Sequence, residues 1–136
     1  MGRYDGPHFS CEDNDVVSVW VAKCALSKIP DDYFIENYDG EDEDPFNQFS
    51  TDFGFGYYDH DFVEPMALEG SAPLDAIIND SSYGKSFAKE AYAASTIKNT
   101  EHIFLMYNFN YDPKITGVIE SEYYKFIGVF KYDRNA

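Results

Sequence analysis

The distribution of charge along the chain constrains its fold more than any other feature of the sequence. Residues 29–84 contain 15 Asp and Glu residues and neither Lys nor Arg. The flanking stretches are nearly balanced, with four acids and three bases in residues 1–28 and six acids and seven bases in residues 85–136. Local ion pairs therefore cannot neutralise the middle of the chain. We expect its carboxylates to face water, a cation or a basic partner, although their mutual repulsion opposes folding.

The formal net charge of −15 argues against two classes of function, direct nucleic-acid binding and binding to an anionic membrane. The first needs a basic patch that neutralises phosphates, and the second needs basic segments that the membrane surface attracts. No apolar run approaches the roughly 20 residues that span a bilayer. Residues 1–17 hold one Arg and no apolar stretch of the kind found in a signal peptide, so we expect a cytoplasmic protein.

Length and composition predict one compact core. A chain of 136 residues suits a single domain, and its 12 Phe and 12 Tyr residues predict a core rich in large rings. Residues 1–14 are polar and carry Gly, Pro and Asp, so we expect a loose N-terminal arm followed by a single domain over residues 15–136.

Apolar patterns predict an α+β fold with a largely antiparallel sheet and helices packed on one face. The Ala-rich stretch 83–95 predicts a helix, and short helices are expected near 30–38 and around Phe46, Phe49 and Phe53, the latter ended by Gly54 or Gly56. Residues 57–63 are expected to lead into a further strand. The clearest strand patterns are Val16 to Ala22, Ile103 to Tyr111 and Tyr123 to Tyr132.

Residue patterns typical of catalysis or metal binding are absent from the sequence. Strand spacing would place Asp59 and Asp61 on one face and His60 on the other, which argues against a chelating set. The stretch from Asp39 to Asp44 is rich in carboxylates, as calcium loops are, but lacks the central Gly and the distal Glu of such a loop. We therefore predict no metal site, no cofactor and no enzymatic activity.

Five segments follow one another in a recognisable order: the strand V-S-V-W-V at 17–21, D-F-G at 52–54, Y-D-H-D-F at 58–62, L-M-Y-N-F-N-Y at 105–111 and K-F-I-G-V-F-K-Y at 125–132. In this order they resemble the immunity protein 22 family of bacterial polymorphic-toxin systems. The resemblance implies a cytoplasmic antidote that is encoded beside a toxin and protects the cell by binding the toxin domain. It also implies a nuclease as a frequent type of target.

An acidic surface fits such a partner, because a nuclease carries a basic groove for phosphates. Tyr is a frequent anchor at interfaces, and Tyr33, Tyr38 and Phe55 belong to the same acidic region. Two alternatives stay open: a small metal-dependent hydrolase with an acidic site, and an acidic nucleic-acid mimic that binds a basic host protein. The residues predicted to contact the partner are Asp39, Glu41, Asp42, Glu43, Asp44, Tyr57, Tyr58, Asp59 and Asp61.

Overall fold

A four-stranded antiparallel sheet organises the fold, in a computed structural model that describes residues 2–136. The strands are β1 (Val16–Ala22), β2 (Val63–Pro73), β3 (Asn99–Tyr107) and β4 (Tyr124–Lys131), and they lie in the order β2-β3-β1-β4. The central strand β1 pairs with β3 and β4, so that Val19 lies opposite both Leu105 and Gly128. Its β-branched residues fit a pleated surface that is covered on both sides. The predicted α+β class and antiparallel sheet are confirmed.

Two helices cover one face of the sheet. They are α2 (Leu74–Asn79) and α3 (Ala88–Ala94), and the latter follows a short 3₁₀ turn at Gly84–Ser86. Their apolar side chains, including Leu74, Ile78 and Ala91, pack against alternate residues of the central strands, such as Val19 and Leu105. The helix predicted over 83–95 is thus found as a 3₁₀ turn followed by an α-helix, and it lies on the sheet as expected.

An aromatic layer covers the opposite face. Trp20 lies at its centre, with ring centroids 5.1 Å from Phe49 and 5.2 Å from Phe126. The layer includes α1 (Gln48–Asp52), so the helices are divided between the two faces rather than confined to one. The acidic middle therefore turns most of its rings inward and leaves most of its carboxylates exposed. The rings that cover the strands here are Phe9, Tyr33, Phe46, Phe49, Phe53, Phe55, Tyr58, Phe109 and Tyr111.

The helix predicted over residues 30–38 is wrong, because this segment forms turns. The carbonyl oxygen of Tyr33 accepts a hydrogen bond from the N–H of Phe49, and the N–H of Asn37 donates to Phe46. The first N–H groups of a helix have no partner inside it, so the start of α1 takes its acceptor from this segment. These bonds replace those that a helix over 30–38 would have made.

The N-terminal segment differs from the expected loose arm. Phe9 is buried against Phe109 and Tyr111, and Ser10 forms a bridge to Phe109.

The strand β3 ends at Tyr107 rather than at the predicted Tyr111, so Phe109 lies just beyond it. Asn108 turns the chain there with a φ of 54°, a left-handed conformation that Asn tolerates better than most residues. After this turn comes the one-turn helix α4 (Pro113–Thr116).

Candidate partner-binding surface

The acidic loop 39–44 lies at the surface, as the sequence predicted. Asp39, Glu41, Asp42 and Glu43 are exposed, and their carboxylates form no hydrogen bond or ion pair within residues 2–136. Asp44 has a different role, because its Oδ2 accepts a hydrogen bond from the N–H of Glu41 at 3.0 Å and closes the turn. The loop therefore presents carboxylates without an ion-pair partner, while Asp44 stabilises the conformation of its backbone.

Arg3 lies beneath this loop and was missed because residues 1–14 were expected to be a loose arm. It is 5% exposed, and its N–H donates to the carbonyls of Asp42 and Asp44 at 3.2 and 3.1 Å. Its carbonyl accepts from the N–H of Tyr57 at 2.7 Å, and its Nη1 donates to the carbonyl of Asn37. Nε and Nη2 are buried without a hydrogen-bond partner within residues 2–136. Arg3 thus joins the acidic loop to Tyr57 while leaving the carboxylates exposed.

The structure separates the two neighbouring tyrosines of the predicted surface. Tyr57 is 45% exposed, whereas Tyr58 is 1% exposed and packs in the aromatic layer, where its hydroxyl accepts a hydrogen bond from Asn47 Nδ2 at 2.7 Å. Consecutive side chains of an extended segment point in opposite directions, so only one of the pair can reach the surface. Tyr58 is therefore a core residue, which corrects its assignment to the partner-binding surface.

Tyr38 is exposed beside Tyr57 and completes the surface. Its ring is 59% exposed and lies 5.4 Å from that of buried Phe46, whose ring is also 5.0 Å from Tyr57. Tyr4 adds a third exposed ring, 6.1 Å from Tyr57. One buried ring thus supports two exposed ones from below. Tyr38 stood in the aromatic set noted from the sequence, but its segment was expected to be a helix.

Glu36 links the tyrosines to the Asp59–Asp61 segment. Its carboxylate accepts from the hydroxyl of Tyr38 at 2.8 Å and lies 2.8 Å from Nδ1 of His60. The hydrogen bond to Glu36 raises the pKa of His60. Burial, and then the bond to Glu36, raises the pKa of Tyr38 to about 12, so Tyr38 stays a neutral donor near pH 7.

Residues His60–Phe62 form a 3₁₀ turn, with Asp59 just before it. The strand spacing from which we argued that Asp59, His60 and Asp61 do not chelate a metal is therefore not found. Asp59 caps this turn by accepting from the N–H of Asp61 at 2.9 Å, and both carboxylates remain exposed. Within residues 2–136, no group of three or more His, Cys, Asp or Glu side chains is arranged to hold a metal ion. No helix in the same range has the length and apolar character needed to cross a membrane.

We call these residues together the tyrosine–acid surface. It combines eight carboxylates with two exposed tyrosines, and among residues 2–136 the bases that hydrogen-bond or pair with it are the buried Arg3 and His60. Such a surface attracts a positively charged partner and offers rings for contact once the partner has arrived. Its members are Glu36, Tyr38, Asp39, Glu41, Asp42, Glu43, Asp44, Tyr57, Asp59 and Asp61.

Comparison with known families identifies a match over nearly the whole chain. The family model described as Immunity protein 22 matches residues 17–133. The match begins within β1 and ends just beyond β4, so it covers the sheet, both helical layers and the tyrosine–acid surface. No curated protein and no solved structure matches the chain significantly.

Proposed function

Because the chain belongs to the immunity protein 22 family, we propose that it binds and neutralises a cognate bacterial toxin domain through the tyrosine–acid surface. Family membership supports an immunity function. The proposal adds that the protein acts in the cytoplasm by stoichiometric binding, without catalysis, and that the toxin is a basic protein such as a nuclease. The observation that carries it is the set of exposed, unpaired carboxylates around Tyr38 and Tyr57.

Electrostatics support a basic partner. The carboxylates of Asp39, Glu41, Asp42 and Glu43 have no counter-ion within residues 2–136, so their field extends into solvent. A nuclease concentrates Lys and Arg where it holds phosphates, and an acidic inhibitor that approaches this groove is steered toward it. Such complementarity acts mainly on the rate of association and on the rejection of wrong partners.

The tyrosines support a tight complex after encounter. Tyr38 and Tyr57 both rest against the buried ring of Phe46, and Tyr38 is further held by its bond to Glu36. A ring that is already held in place loses little conformational entropy when a partner covers it. Tyr residues supported in this way are typical of the few positions that provide most of the binding energy.

Co-expression with the toxin domain encoded next to this protein tests the proposal. We expect the protein to restore growth of bacteria that express the toxin, and the two purified proteins to form a one-to-one complex in size-exclusion chromatography with multi-angle light scattering. A control toxin from an unrelated family should neither be neutralised nor co-elute. Growth rescue without a complex would contradict stoichiometric binding, and a complex that leaves the toxin active would contradict neutralisation.

A further inference from the structure

A second acidic feature lies outside the tyrosine–acid surface and shares no residue with it. It is a groove of about 630 Å³ between residues 30–33, α1 and the chain just before β4. Asp32, Asp52 and Glu122 line it together with the rings of Tyr33 and Tyr123. Pockets for small molecules are mostly apolar, with a few polar groups. A groove bordered by three carboxylates instead suits a cation that also has a flat or apolar part.

Asp52 is held in place by two neutral donors. The hydroxyl of Tyr33 donates to its Oδ2 at 2.8 Å, and Nε2 of Gln48 donates to its Oδ1 at 2.7 Å. A carboxylate has about four lone-pair positions, so each oxygen keeps capacity for a further donor. Tyr33 is itself buried, and its hydroxyl also lies 3.3 Å from Oγ of Ser121. The groove therefore contains a carboxylate that is fixed in orientation but not neutralised.

Within residues 2–136, no base forms an ion pair with a carboxylate of the groove. The ion pairs within residues 2–136 are Lys23–Glu120, His60–Glu36 and Arg134–Asp15. The nearest of these bases to the groove in sequence is Lys23, which lies 3.2 Å from Glu120 and donates to the carbonyl of Ser121 at 2.7 Å. Its ammonium group is thus engaged by Glu120 and by the Ser121 carbonyl. No ion pair within residues 2–136 therefore occupies the carboxylates of Asp32, Asp52 and Glu122.

Two further features favour a protein side chain as the occupant. The ring of Tyr123 is partly exposed and lies 5.2 Å from the buried ring of Tyr33 at an interplanar angle of 78°, so a planar cation can lie over Tyr123 while it bonds to a carboxylate. The segment leading into the groove wall carries two exposed apolar residues, Ile115 at 63% and Ile119 at 52% exposure. Protein interfaces combine charged anchors with such apolar contacts.

The groove lies close enough to the tyrosine–acid surface for one partner to reach both. Phe46, which supports Tyr38 and Tyr57, precedes α1 by two residues, and Gln48 and Asp52 are the first and last residues of α1. A helix of five residues is only about 8 Å long. The residue that supports one acidic feature and the carboxylate of the other are therefore connected through one short helix.

We propose that this groove receives an arginine side chain of the basic partner. The guanidinium group is planar, carries five donors and pairs with a carboxylate through two parallel hydrogen bonds, whereas the ammonium of Lys is a point charge that does not stack. Asp52 supplies the carboxylate that Tyr33 orients, Tyr123 supplies the ring, and Asp32 and Glu122 supply the surrounding negative potential. The identity of the partner as a toxin rests on the proposed function, but the chemistry of the groove does not.

The capped peptide Ac-Gly-Arg-Gly-NH₂ tests this chemistry without any toxin. In a titration of the ¹⁵N-labelled protein followed by NMR, we expect it to shift the amide signals of residues 48–53 and 121–124. The same peptide with citrulline, which keeps the shape of arginine but not its charge, should bind at least about fivefold more weakly, and the lysine peptide should also bind more weakly. Equal affinity for the arginine and citrulline peptides, or for the arginine and lysine peptides, would overturn the proposal.

Matched variants separate the groove from general attraction to a negative protein. The double substitution Asp52→Asn and Glu122→Gln should weaken arginine-peptide binding about fivefold, whereas Glu41→Gln with Asp42→Asn, which removes the same charge from the acidic loop, should change it less than twofold. Glu122→Gln alone guards against misfolding, because this exposed side chain holds no other element and its loss should still weaken binding. Equal effects of the two double variants would overturn the inference.

The toxin complex gives an independent measurement. If the wild-type protein binds the toxin and the Asp52→Asn, Glu122→Gln protein binds it with unchanged affinity, the groove lies outside the interface and the inference fails while the proposed function stands. If the wild-type protein does not bind the toxin, the proposed function fails, and the peptide titration still decides whether the groove recognises arginine.

Discussion

Neutralising the acidic loop is the most direct test of how the charge segregation works. The substitutions are Glu41→Gln, Asp42→Asn and Glu43→Gln, which keep the size of each side chain. All three residues are exposed, and their side chains form no hydrogen bond or ion pair within residues 2–136. Asp44 is left unchanged because its carboxylate closes the turn through the N–H of Glu41. The free energy of unfolding should therefore change by less than about 0.5 kcal/mol.

The magnitude for binding follows from the exposure of the loop. Two unit charges about 8 Å apart in water interact with about 0.5 kcal/mol, and screening at physiological salt lowers this to about 0.2 kcal/mol. If each of three carboxylates faces about two cations of the partner during encounter, the total is about 1 kcal/mol. Association should then slow about fivefold, while dissociation changes much less, because the loop acts over distance rather than by close contact.

Surface plasmon resonance against the toxin domain at two salt concentrations measures both rates. The matched control is Glu69→Gln, Asp80→Asn and Glu90→Gln, which removes three exposed charges that do not belong to the tyrosine–acid surface. We expect the loop variant alone to lose most of its salt dependence of association. An unchanged association rate and salt slope would refute the reasoning, and equal slowing by the control variant would show that total charge, not its placement, sets the rate.

Three further predictions concern single residues. Tyr57→Ala should speed dissociation from the toxin about 30-fold, equivalent to about 2 kcal/mol, and leave the free energy of unfolding unchanged. Tyr58→Ala should instead lower the free energy of unfolding by about 4 kcal/mol. Equal effects of the two variants on stability in urea titrations would contradict the assignment of Tyr57 to the surface and Tyr58 to the core. Phe9→Ala should lower the free energy of unfolding by about 3 kcal/mol, and a change below about 0.5 kcal/mol would show that the N-terminal segment is loose after all. Nδ1 of His102 lies 2.6 Å from the Tyr124 hydroxyl, and burial lowers the pKa of His102 to about 4. The folded protein therefore resists protonation of His102 more than the unfolded chain does, so the free energy of unfolding falls as the pH drops below about 6.5. At pH 4.5 this group should account for about 2.5 kcal/mol of lost stability, and His102→Gln should lose that much less between pH 7 and 4.5 in urea titrations; an identical loss would refute the assignment.

Local patterns in the sequence predicted those strands and helices whose own residues are enough to indicate their structure. The run Val16–Ala22 was predicted as a strand and is β1 with the same bounds, because β-branched residues buried on both faces suit only a central strand. The C-terminal strand is β4, one residue shorter at each end than predicted. The apolar spacing of Phe46, Phe49 and Phe53 predicted α1, and Gly54 ends it with a φ of 79°, a conformation that glycine adopts without strain.

The sequence also showed the distribution of acidic and basic residues along the chain, but not the contacts that each of them makes. The absence of Lys and Arg from residues 29–84 predicted that the carboxylates of this stretch would remain largely unpaired. The structure bears this out for the loop 39–44, where Glu41, Asp42 and Glu43 face solvent. Composition did not indicate which acids hold the backbone. Asp44 and Asp59 cap turns, a role that depends on the position of a backbone N–H and not on the type of residue alone.

Tertiary structure decided every feature that joins distant parts of the chain. The carbonyl of Tyr33 is occupied by the N–H of Phe49, which is why an amphipathic pattern over 30–38 forms turns instead of a helix. Arg3 reaches the acidic loop from a segment whose polar composition resembled that of a free arm, and Asp52 is oriented by a hydroxyl 19 residues away. Each of these contacts depends on which face of the sheet a segment covers. A sequence carries the side chains for such contacts, but only the folded chain brings their partners within hydrogen-bond distance.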